Sequence, residues 1–205
     1  MKKTPLYLIV VILLAAVAVW YYVFKGKKNA ASDSTLSAPY VSKHSDEFNE
    51  SLSGMMDSYF NLTEAFVNWD TSSVVKYSAE LHFSIENLKI GKLKIDDLAA
   101  QDALSGYKTI KSDMASILKS ENIGGQREAL NNLSRSLYHF LQTVSYDIGK
   151  VYYQECPMAF NDVIPGNWLS RTDAVRNPYL GTKHPKYKSG MLKCGGPKDT
   201  LNFMQ

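Results

Sequence analysis

The chain has 205 residues, 45% of them apolar and 21% charged, enough for one domain with a real hydrophobic core plus appendages. Its formal charge of +3 does not mark a nucleic-acid binder, because residues 1–28 carry five lysines and no acid, leaving 18 Lys and Arg against 20 Asp and Glu in the rest. Beyond the basic N-terminus the charge is divided. Residues 29–162 hold 11 basic and 18 acidic groups, and residues 163–205 hold seven basic and two acidic ones. A basic tail docked on an acidic body is the expected consequence.

Pro5 to Phe24 is a run without charge, closing on Val19-Trp20-Tyr21-Tyr22-Val23-Phe24. As a helix it rises about 30 Å, enough to cross a hydrocarbon core, with Trp20, Tyr21 and Tyr22 as an interfacial belt. Ala16-Val17-Ala18 resembles a signal-peptidase site, but the apolar run continues beyond it, which favours an uncleaved anchor. The expectation is a single-pass transmembrane signal anchor over 1–28, inserted in the cytoplasmic (inner) membrane with the C-terminal domain in the periplasm. Residues 29–44, rich in small polar side chains, read as a linker.

Four segments of helical spacing follow. The first, about Ser45–Trp69, places Phe48, Leu52, Met55, Met56, Tyr59, Leu62 and Phe66 on one side. Asp70-Thr71-Ser72 supplies cap residues for a second whose stripe is Val74, Ser78, Leu81, Ile85 and Leu88, ending at Gly91. Asp96-Asp97 opens a third with Leu98, Leu104, Ile110, Met114 and Ile117, and Gly124-Gly125 separates it from a fourth with Leu130, Leu133, Leu137, Leu141, Val144 and Ile148. Amphipathic helices on short links imply an antiparallel bundle. The expected fold is therefore all-α: an antiparallel four-helix bundle over 45–155, an irregular Cys/Met cap over 156–200, and the N-terminal transmembrane helix. Val151-Tyr152-Tyr153 reads as an extension of the last helix.

No nucleophile with its base, phosphate loop or dinucleotide fingerprint occurs, so the expectation is a protein that is not an enzyme. His82 and His139 lie beside apolar stripes and are expected at a core border or surface. The chemistry-bearing residues are sulfurs: Cys156 with Met158, and Met191 with Cys194. Two readings stand side by side. A Cys156–Cys194 disulfide closes a loop of about 39 residues, which the chain-entropy account values at roughly 4 kcal/mol. Alternatively Cys156, Met158, Met191 and Cys194 form a mixed thiolate and thioether site for Cu(I) or Ag(I), since soft donors select soft ions. Chemistry alone favours the disulfide.

The runs Val-Tyr-Tyr-Gln-Glu-Cys-Pro-Met-Ala at 151–159, Gly-Asn-Trp-Leu-Ser at 166–170, Arg-Asn-Pro-Tyr-Leu-Gly at 176–181 and Met-Leu-Lys-Cys-Gly at 191–195 closely resemble the DUF3347 family. The resemblance covers about 45–200. It departs at one place: residues 182–190, carrying His184 and three lysines, are an insertion before the last motif. Such domains occur in secreted or anchored proteins of Bacteroidetes-like bacteria and at the end of membrane-fusion subunits of CusB-like copper/silver efflux systems. The resemblance thus implies a periplasmic role in heavy-metal handling, with a heavy-metal efflux complex or another envelope protein as partner, and it brings the metal site level with the disulfide.

Overall fold

A computed structural model describes residues 42–204. The anchor expected at 5–24 and most of the linker lie outside these residues; among the described residues no helix is long and apolar enough to cross a membrane. Among the described residues four helices come first: α1 (Asp46–Asn68), α2 (Thr71–Glu86), α3 (Asp97–Lys119) and α4 (Ile123–Thr143), with one turn of 3-10 helix at Ile90–Lys92 between α2 and α3. Three strands follow, β1 (Val151–Phe160), β2 (Ile164–Ser170) and β3 (Gly196–Leu201).

Each helix begins where a short polar side chain can satisfy an orphan backbone N–H. Ser45 accepts from Phe48, Asp70 from Ser73, Asp96 from Leu98 and Ala99, and Asn122 from Gly125. The break before α4 therefore falls at Ser120–Asn122, and Gly124-Gly125 belongs to its first turn rather than to the link. The expected stripes of α1, α2 and α4 are buried almost to the residue. In α3 the inner face is Ala103, Ile110, Met114 and Ile117, while Leu98 and Leu104 point to solvent at 70% and 43% exposure.

The all-α expectation is corrected by the sheet. Val151–Phe160 does not prolong α4 but forms the central strand of a three-stranded antiparallel sheet in the order β2-β1-β3. The expected boundary between bundle and cap at 155/156 cuts this strand in half, and the cap is not irregular throughout, since β2 and β3 flank β1. Periodicity missed β1 because it is covered on both faces; Tyr153, Gln154 and Cys156 are all buried, so apolar and polar residues do not alternate. Three prolines disguised the strands further, each at a place that tolerates it. Pro157 stands where the β1–β2 register slips between Cys156 and Phe160, and Pro197 opens β3 beside its own register shift. Pro165 lies in the exposed first residues of β2.

The hairpin between β1 and β2 turns at Asn161 and Asp162, whose φ values of 50° and 63° are both left-handed. This is the backbone twist that suits a tight antiparallel connection, and Asn and Asp are the residues besides glycine that adopt it most readily. The sheet sits between two layers. Tyr153 stacks on Tyr138 of α4 at 4.0 Å on the bundle side. The cross-strand partners Gln154 and Trp168, and Cys156 and Gly166, share the opposite side, which the chain from 171 to 195 covers. The outer edge of β2 is closed by helix side chains: Tyr59 accepts from the Leu169 N–H at 3.0 Å, and Asn131 accepts from the Asn167 N–H at 2.8 Å. Such closure removes a template for edge pairing.

Candidate functional site

The candidate site is the sulfur cluster and the segment that encloses it. Cys156, fully buried on β1, and Cys194, just before β3, are joined in a disulfide with a Cα–Cα distance of 5.5 Å. That separation is the ordinary one for a bridged pair. Gly195 follows with φ +113°, and a Cβ there would collide with the carbonyl of Glu155. Only a residue without a side chain lets the chain turn this closely past β1. Met158 and Met191, the other two expected metal ligands, are partly buried and pack against the core. Both cysteine sulfurs are bonded to each other, so neither is a thiolate in this state. Among the described residues no group of three or more His, Cys, Asp or Glu is placed to hold a metal ion.

The Arg-Asn-Pro-Tyr-Leu-Gly run supplies the clamp around the disulfide. Asn177 is fully buried and both ends of its amide are paired: Oδ1 accepts from the N–H groups of Tyr179 and Leu180, and Nδ2 donates to the Cys194 carbonyl at 3.1 Å. Its own N–H donates to the Leu192 carbonyl. A buried amide satisfied on both sides fixes one geometry, because any other leaves polar atoms unpaired. Tyr179, also buried, donates its hydroxyl to the Asn167 carbonyl of β2. Its ring explains Gly166, where an added Cβ would stand 2.7 Å from Tyr179 and 2.6 Å from Ala159.

The same run docks on the C-terminal end of α1. Trp69 ends that helix in the left-handed conformation (φ 56°), and its indole N–H donates to the Leu180 carbonyl at 3.0 Å. Arg127 of α4, 5% exposed, donates to the carbonyls of Phe66 and Pro178. Burial lowers the pKa of its guanidinium to about 10, which leaves it a cation at neutral pH. Gly181 (φ +57°) lets Thr182 donate to the Val67 carbonyl at 2.8 Å. The sequence puts Trp69 at the end of the α1 stripe and Arg127 within the Gln126–Leu130 pattern but gives neither this clamping role; a cationic residue on the apolar side of α4 was the available signal.

The basic tail does dock on the acidic body, through exposed pairs of Arg171 with Asp57 and Arg176 with Glu64 on α1. The insertion at 182–190 folds back on itself through paired hydrogen bonds between His184 and Lys188. His184 packs edge-on against Trp69 and stacks on Tyr187, and desolvation lowers its pKa. Lys186 and Tyr187 both bind Asp162 at the hairpin turn. His44, expected in the linker, is buried, with Nε2 2.7 Å from the Val144 carbonyl. Asp147 accepts from Ser42 Oγ and the Lys43 N–H beside it, so the chain is already seated on the bundle at residue 42.

Fold and site together define a small α+β domain in which a helical bundle carries a three-stranded sheet and a disulfide closes the segment over that sheet. Residues 55–149 match the family model described as Protein of unknown function (DUF3347), which bears out the resemblance over the helical body. The match ends just before β1, so the cysteine motifs lie beyond it. No curated protein and no solved structure matches the chain.

Proposed function

We propose that this protein is a non-enzymatic structural or interaction module of the bacterial cell envelope, displayed outside the inner membrane on the anchor at 5–24. The observation that carries this reading is the Cys156–Cys194 disulfide. Disulfides persist in oxidising spaces such as the periplasm and are rare in the cytosol of most organisms. The bond joins the central strand to the far end of the covering segment, and Asn177, Tyr179 and Gly195 are all built around it. These residues hold the covering segment in one arrangement over the sheet.

Handling of Cu(I) or Ag(I) by Cys156, Met158, Met191 and Cys194 is the competing reading. Its support is that both methionines remain partly exposed within three residues of a cysteine. It requires the bond to be reduced, since the thiolate is the ligand. Thiol titration of the native full chain, followed by Cu(I) competition before and after reduction, separates the two. The module reading expects no free thiol in native protein, a lower melting temperature after reduction, and no tight Cu(I) uptake in either state. Stoichiometric uptake that falls in Cys156→Ser and in Met191→Leu would replace it with the metal reading.

A further inference from the structure

Between α1 and the chain leaving β2 lies a cleft of about 180 Å³. Phe60 and Val67 of α1 form one wall, Trp168 and Leu169 of β2 the floor, and Ala174 part of the other wall. Cavities of about 150 Å³ hold one benzene-sized group, so this cleft fits a single aromatic ring or branched chain. Trp168 and Leu169 are both fully buried, so the floor is apolar core packing.

The rim supplies charge. Glu64, Arg171 and Arg176 line the cleft, and Asp57 pairs with Arg171, so the two arginines stand in two ion pairs with no net charge. The Arg171 guanidinium lies over the Phe60 ring, 4.7 Å from its centroid, which holds the cation above the apolar wall. Both arginine side chains stay about half exposed, at 59% and 48%, in their pairs with Asp57 and Glu64. Exposed ion pairs of this kind contribute little, and each guanidinium has donors beyond those that its partner uses. An incoming carboxylate can share or displace them at small cost.

We propose that this cleft binds a small apolar carboxylate, an acid carrying one aromatic or branched group: the apolar part fills the space beside Trp168 and the carboxylate meets Arg171 and Arg176. The proposal goes beyond the envelope-module reading and does not rest on it. The probe is 4-fluorophenylacetate, titrated against the full chain and followed by fluorine NMR, with 4-fluorophenylacetamide as the uncharged control. Saturable binding of the acid is expected, with the amide about tenfold weaker, the scale of one charge-assisted hydrogen bond. Arg176→Gln is expected to weaken the acid by a similar factor and leave the amide unchanged. Ala174→Phe, at an exposed position, fills the cleft and should abolish binding of both, and Thr172→Phe gives a second block should the first disturb the fold. Failure of the acid to saturate overturns the proposal, as does equal binding of acid and amide. Binding that survives both blocking substitutions shows a site elsewhere and overturns it too.

Discussion

The guanidinium of Arg127 lies over the indole of Trp69, its central carbon 3.8 Å from the ring centroid. Through this pair α4, the end of α1 and the Asn-Pro-Tyr-Leu-Gly turn meet at one buried point, because Arg127 also donates to Phe66 and Pro178 and Trp69 to Leu180. Arg127→Lys keeps the charge but not the planar fork that serves two carbonyls and the ring together. Its expected cost is about 2–3 kcal/mol, read as a lower urea midpoint with an unchanged slope.

Reduction of Cys156–Cys194 frees the segment spanning a sequence separation of 38 residues. The loss is expected to be about 4 kcal/mol, or roughly 10 °C in melting temperature for a domain of this size. Differential scanning calorimetry with and without reductant measures it, and Cys156→Ser/Cys194→Ser should melt with the reduced protein.

Tyr59 is the deepest link between bundle and sheet. Its hydroxyl accepts from the Leu169 N–H and lies 2.7 Å from Ser134 Oγ, which donates to the Leu130 carbonyl. Tyr59→Phe strands the β2 amide without water, at an expected cost of about 2 kcal/mol in urea unfolding. Hydrogen exchange at Leu169 should rise more than at residues in the middle of α3, since the edge of β2 loses its cover.

Burial raises the pKa of Tyr59 and of Tyr179, and burial together with Asp199 pushes Tyr138 up to about 12. For an acid raised in the fold, the unfolded chain ionises first, so it binds fewer protons than the native state above its own pKa of about 10. Stability is therefore full below pH about 10 and falls as pH rises toward the native values. Melting temperature followed from neutral pH to about 12 should hold and then drop. Tyr138→Phe should flatten part of that drop, since Tyr138 carries one of the raised values.

The helical body was legible because three of its four stripes meet the core along their whole length and each start carries a capping side chain. The exception, α3, packs through Ala103 instead of Leu98 and Leu104, a choice that depends on how closely neighbouring helices approach. Of the candidate site, the sequence identified the two cysteines and the motifs around them. Their bonding was open, because two thiols and two thioethers satisfy either a bridge or a soft ion until the Cα positions are known. What Arg127, Asn177 and Trp168 do lay beyond reach, since each matters through partners 51, 17 or about 100 residues away.

By itself, then, the sequence determined the local and periodic features: four amphipathic helices, the acidic starts of the second and third, an apolar run able to span a membrane, and a pair of cysteines flanking a proline- and glycine-rich segment. Those follow from nearest neighbours along the chain. Tertiary structure decided what non-local contacts decide. It made Val151–Phe160 a central strand, because a segment buried on both faces shows no alternation and acquires its ladder only from β2 and β3. It joined Cys156 to Cys194 and set Trp168 against α1, because those meetings depend on how the covering segment crosses the sheet.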